Sequence, residues 1–153
     1  MKRSIFRRSL LILALLIEAP TLHAAARFEV VGNTPMFSVD ASLTPGQTVA
    51  KLTRSLLERA RETRLILDFV FNGIGVESIT GPDGNLLGLY MEPVSALEWR
   101  AYGWCYSVDG VAPDVLADEF NLKGSESIIR WFYGYASRIE GHWQTQCTPV
   151  FRP

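Results

Sequence analysis

Histidine is nearly missing from this 153-residue chain, which has only His23 and His142. Cysteine is as scarce, with Cys105 and Cys147 alone. No phosphate-binding loop and no G-x-S-x-G elbow occurs. Asp114, Asp118 and Glu119 gather near a turn, but they lack the alternate-ligand spacing and the glycine of a calcium loop, so they read as a solvated loop. Asp83-Gly84-Asn85 is too short to be a site. There is no internal repeat and no low-complexity segment. Beyond the first two dozen residues no apolar stretch is long enough to span a bilayer, which takes about 20 residues.

What the chain does have begins at its start. Lys2, Arg3, Arg7 and Arg8 precede an unbroken apolar run from Leu10 to Ile17, and Ala24, Ala25 and Ala26 follow the helix-breaking Pro20. Charge, then grease, then small residues is the order of a secretory signal peptide, here residues 1–26 with cleavage after Ala24 or Ala26. Glu18 closes the run too early for a permanent anchor. Export implies a periplasmic or secreted protein. It also removes His23, which leaves His142 as the one imidazole and excludes a multi-histidine metal centre.

The whole chain carries 15 basic and 16 acidic residues. The leader takes four of the first and one of the second, so the mature part keeps 11 against 15, a net charge of −4. That balance argues against nucleic acid or an anionic membrane surface as main partner. A mature chain of about 127 residues is one domain and buries about two-thirds of its unfolded surface. Both cysteines lie in this part. In an oxidising compartment such a pair usually bridges, and Cys105–Cys147 would tie the C-terminal tail to the sheet; the alternative is two unpaired thiols.

Along the chain, Phe28 to Val31 and Met36 to Val39 read as a hairpin around Gly32-Asn33-Thr34-Pro35. A helix is expected to open at Thr44-Pro45-Gly46-Gln47, with Thr44 or Thr48 as cap and Pro45 in its first turn. Val49, Leu52, Leu56, Leu57 and Ala60 give it one apolar face, and Lys51, Arg54, Glu58, Arg59, Arg61 and Glu62 a solvated one. Leu65 to Phe71 and Val76 to Ile79 read as strands. Gly81-Pro82-Asp83-Gly84 is a turn. Leu86 to Ala101 has no clean period and reads as a surface excursion with one helical turn near Ser95 to Trp99. Trp104 to Val108 is a strand ending at a hairpin turn, Asp109-Gly110. Ser127 to Tyr133 is another strand, and Gly134 to Pro153 a polar, aromatic-dotted tail with His142-Trp143 exposed. Two strands, a helix, then three or four strands is an α+β plan, one main helix packed on a mixed curled sheet, of which the β-grasp is the specific small form.

The stretch from Gly103 to Tyr133, GWCYSVDGVAPDVLADEFNLKGSESIIRWFY, resembles the transcobalamin-like C-terminal domain family. Gly103, Trp104, Tyr106, Val108, Asp109 and Gly110 match its aromatic strand and turn. Ala117 matches the small spacer residue, Leu122-Lys123-Gly124 the second turn, and Trp131 and Tyr133 the last strand. Thr48-Val49 at the helix and the Ile79 strand also fit. Asp109 stands where the family usually has Asn, Ser125 intervenes before Glu126, and the extension 134–153 has no counterpart. The resemblance therefore places the domain at 27–133. It implies a β-grasp-like sheet able to present a flat, partly apolar ligand surface.

Trp104 and Tyr106 share one face of their strand, and Trp131 and Tyr133 one face of another, because alternate residues do. Those four rings are the ligand-binding candidates, for a small molecule of flat, conjugated type such as a corrinoid. An ordinary aromatic core has the same pattern. No cofactor is needed for folding. Two other functions compete with an exported, non-enzymatic binding module. One is an envelope protein-interaction or structural domain. The other is a thiol enzyme with Cys105 as nucleophile and His142 as base, against which the bridge competes.

Overall fold

The computed structural model describes residues 25–62, 68–72 and 75–150. The expected leader, up to Ala24, and the first part of the expected Leu65–Phe71 strand lie outside the described residues. The described residues fold as α+β: a mixed sheet curled into a half-barrel, with one helix among them.

Strands β1 (Ala25–Val31) and β2 (Pro35–Ser42) pair antiparallel, with Phe28 opposite Val39 and Val30 opposite Phe37. Ala25 and Ala26 are thus part of β1, and Ala26 is fully buried. Strand β1 thus includes the two residues ahead of the expected domain start at 27. Pro45 and Gly46 do not begin the helix. They form a turn ahead of it, where Gly46 has φ +80°, a left-handed value that glycine adopts without penalty. Helix α1 (Val49–Glu62) follows, and the Thr48 hydroxyl accepts the Lys51 N–H as its cap. Val49, Leu52, Leu56 and Leu57 are buried, and Lys51, Arg54 and Glu58 face water, as the spacing predicts.

A small sheet comes next, β3 (Asp68–Phe71), β4 (Val76–Thr80) and β5 (Leu86–Gly88) in that order. The expected surface excursion is mostly strand: β5, then β6 (Tyr90–Pro93) and the first residues of β7 (Glu98–Val108). No helical turn forms at Ser95 to Trp99. The Ser95 hydroxyl accepts the Leu97 and Glu98 N–H groups and closes the β6–β7 turn. The expected tail is also sheet, because β8 runs from Ile128 to Ile139 and β9 from His142 to Pro149. The segment 134–153 is therefore integral to the domain up to Pro149. Polar composition hid this, because edge strands need only one apolar face.

The main sheet has the order β2-β1-β8-β7-β6. β7 pairs with β8 along its whole length, Glu98 opposite Ile139 through Val108 opposite Ile129. On the other side of β8, its first half pairs in parallel with β1 and its second half antiparallel with β9. Asp109 and Gly110 take positive φ, 49° and 82°, and Val108 and Val111 exchange both hydrogen bonds across them. The turn expected there is present, but the hairpin stops at that one bridge. The Asp109 carboxylate instead accepts the Ser127 and Ile128 N–H groups, at 2.8 Å each, and so fixes where β8 starts. Glu126 does similar work one turn earlier, accepting the N–H groups of Lys123, Gly124 and Ser125.

Candidate functional site

The β7–β8 register assigns every side chain of the two strands to one of two faces. Tyr106, Trp131 and Val108 share the helix-side face with Phe28 and Val30 of β1. The four expected rings do meet there. Trp104 and Tyr133 contact at 5.6 Å between centroids, Tyr106 and Trp131 at 5.5 Å. Three of them are core, however, while Trp104 is only part-buried and also borders the hollow described below. Trp131 is 2% exposed and donates its indole N–H to Thr53 of α1 at 2.7 Å. Tyr106 and Tyr133 are buried, their hydroxyls donating to the Val115 and Gly88 carbonyls. Trp104 is half-buried, its N–H held by the Leu87 carbonyl. Burial, with Glu119 and Asp118 nearby, pushes the Tyr106 phenol up to about 12. Burial likewise raises Tyr133, aided by Tyr102. Both stay neutral donors. The small sheet and the helix cover this face because an aromatic surface that size is stable only when dry.

Two adjoining hollows lie on the opposite face. Reading across the strands there, one row is Pro93, Trp99, Arg138 and Trp143, and the next is Met91, Ala101 and Ala136. Then Gly103 stands directly opposite Gly134, and Cys105 opposite Phe132. Small side chains at Ala101, Gly103, Gly134 and Ala136 leave a shallow floor. Larger groups frame it: Leu89, Trp143, Gln146 and the Cys105–Cys147 bridge border a hollow of about 320 Å³. A second hollow of about 270 Å³ lies between Met91, Trp99, Arg138 and Trp143, and the two share Ala101 and Trp143 in their walls. Leu89 is 78% exposed, and Met91, Trp143 and Trp99 about half. Large apolar groups gathered on an open face mark an interaction site more often than chance.

The bridge and the two facing glycines belong together. Cys105 sits on β7 and Cys147 on β9, the two strands that flank β8. Neighbouring strands lie about 4.8 Å apart, so flanking strands are separated by about twice that. The two Cα atoms are nevertheless 5.7 Å apart. The β8–β9 register shifts between Tyr135 and Ser137, Cys147 takes φ +53°, and the bulge brings β9 over β8. It passes directly above Gly134, where a Cβ would stand 2.8 Å from the Thr148 carbonyl oxygen. The bridge holds the Cys105 sulfur, so the thiol-nucleophile arrangement with His142 has no thiol to use.

Sequence reasoning missed Trp99, Arg138 and Trp143, which it left in an excursion and a tail. One signal was there to be read: small residues at alternate positions, Ala101-x-Gly103 and Gly134-x-Ala136, each leading out to a bulky residue, Trp99 or Arg138. Comparison with protein-family models, curated proteins and solved structures gives no match for the chain. Among the described residues no helix is long and apolar enough to cross a membrane.

Proposed function

We propose that this chain is an exported, non-enzymatic binding module for a small, flat, largely apolar ligand, seated over Gly103 and Ala101 rather than over the buried rings. The observation that carries the reading is the run of small residues at Ala101, Gly103 and Ala136, beside the β9 crossing at Gly134, framed by Trp99, Trp143, Met91 and Leu89. Such a floor lets a planar group lie against the backbone, while indole walls supply contact area. Export is supported by the leader pattern and by the bridge, since disulfides persist in oxidising compartments. The β-grasp reading of the fold is supported by the β1–β2 hairpin, the helix crossing after it, and the return of β8 in parallel beside β1. The resemblance to the transcobalamin-like domain points the same way. Volume limits the ligand: at about 320 Å³ the hollow is at the small end of ligand sites. It accepts a two- or three-ring system, and only the edge of a corrinoid.

The experiment is thermal unfolding of the oxidised protein with riboflavin, haem and cyanocobalamin. A ligand at about 100 times its dissociation constant adds about 2.7 kcal/mol, a shift of several degrees at this size. Stabilisation by riboflavin that disappears in Gly103→Leu is the expected result. No stabilisation by any of the three removes the reading. A second reading, docking of an envelope protein, is favoured by one observation: Leu89, Tyr90, Met91 and Leu97 stand exposed along and beside the edge strand β6. Capture of a partner by wild type and by Gly103→Leu alike would favour it.

A further inference from the structure

The second hollow, which adjoins the first at Ala101 and Trp143, ends at a cation. Arg138 lies in the cross-strand row between Trp99 on β7 and Trp143 on β9. Its Nε donates to the Gly141 carbonyl at 2.9 Å, and its guanidinium sits 6.0 Å from the Trp143 ring centroid. The head group is thereby held in place. No carboxylate among the described residues pairs with it: Glu140, which also lines the cleft beside it, forms no ion pair with it. Two partly buried arginines differ from it, with Arg100 bound to Glu98 and Arg130 to Glu29. A fixed, exposed guanidinium with open N–H groups, at the mouth of an apolar trough, is a receptor for an anionic head group.

Resting on the site proposed above, we infer that its ligand class is an amphiphilic anion. A planar or chain-like apolar body lies over Gly103 and Ala101, and a carboxylate or sulfonate reaches Arg138 between the two tryptophans. The trough has the polarity for this, apolar at the bridge end and cationic at the other. A net negative protein does not attract anions in general, so selectivity for them here would be local to Arg138.

Two fluorescent probes with one ring system separate the terms. 1-Anilinonaphthalene-8-sulfonate carries an acid group, and N-phenyl-1-naphthylamine lacks it. The neutral probe is the more apolar and favours any greasy surface, so a preference for the sulfonate does not come from the hydrophobic effect. Titration of the folded, oxidised protein is expected to give about fivefold tighter binding of the sulfonate, the size of an exposed ion pair. Arg138→Gln should weaken the sulfonate alone and bring the ratio to about one. Gly103→Leu should weaken both probes. Equal affinities in wild type, or a preference that survives Arg138→Gln, overturns the anion inference and leaves the hollow standing. Undiminished binding of both probes by Gly103→Leu overturns the hollow itself, and the inference with it.

Discussion

Gly134→Ala tests the crossing of β9 over β8. The added Cβ would stand 2.8 Å from the Thr148 carbonyl oxygen, 3.2 Å from Phe132 Cε2 and 3.3 Å from the Thr148 carbonyl carbon. Two of those three contacts are backbone, and the backbone is not free to move. Cys147 is tied to Cys105 on one side of Thr148, and Val150 donates to the Tyr133 carbonyl on the other. Overpacking against a fixed wall costs about 1–3 kcal/mol, and the upper half of that range is expected. For a domain of this size about 2 kcal/mol lowers the midpoint of thermal unfolding by roughly 6–8 °C. The control is Gly103→Ala, one strand away and facing Gly134. Its Cβ would meet only Leu89 Cδ1 at 3.9 Å, an ordinary contact, and Ala fits a strand better than Gly by about 0.5–1 kcal/mol. Gly103→Ala should therefore be neutral or slightly stabilising. The assay is thermal unfolding by circular dichroism, repeated in a Cys105→Ala/Cys147→Ala background. Releasing β9 should shrink the Gly134→Ala penalty, so the two changes couple rather than add. Equal midpoints for the two alanine variants, or a penalty unaltered without the bridge, would refute the crossing.

Three further outcomes are expected. The bridge closes a separation of 42 residues, so Cys105→Ala/Cys147→Ala should lose up to about 4 kcal/mol in denaturant unfolding, and thiol titration of the native protein should find no free thiol. Burial alone would raise the Glu126 carboxyl, but hydrogen bonds from Lys123, Gly124 and Ser125 outweigh it and hold it below the usual carboxylate range. Its stabilising contribution is then complete above about pH 4.5 and is lost as pH falls through the lower folded value, so Glu126→Gln should flatten the acid limb of a stability–pH curve. Thr53→Val removes the acceptor for the Trp131 indole N–H in a fully buried place. It should cost about 1–3 kcal/mol by equilibrium unfolding, and less in a Trp131→Phe background, where no N–H is left unpaired.

Much was fixed by residue order alone. The apolar spacing of Val49, Leu52, Leu56 and Leu57 determined the helix and its buried side. The β-branched and aromatic runs determined β1, β2 and the second half of β7. Asp109-Gly110 determined a turn, because few residue pairs take positive φ twice in succession. The two cysteines, with the leader pattern, pointed to the bridge. Tertiary structure decided which side of the sheet is dry. Alternation says that Trp104, Tyr106, Trp131 and Tyr133 share a face, but not whether a helix and a second sheet close over it. Here they do. It also decided that the polar segment after Gly134 is strand, since β9 gains its hydrogen bonds from β8 and needs no apolar run of its own. The site followed from that. Gly103 and Gly134 are 31 positions apart in the chain, and only the β7–β8 register sets them side by side, Gly103 open to the hollow and Gly134 making room for the β9 backbone.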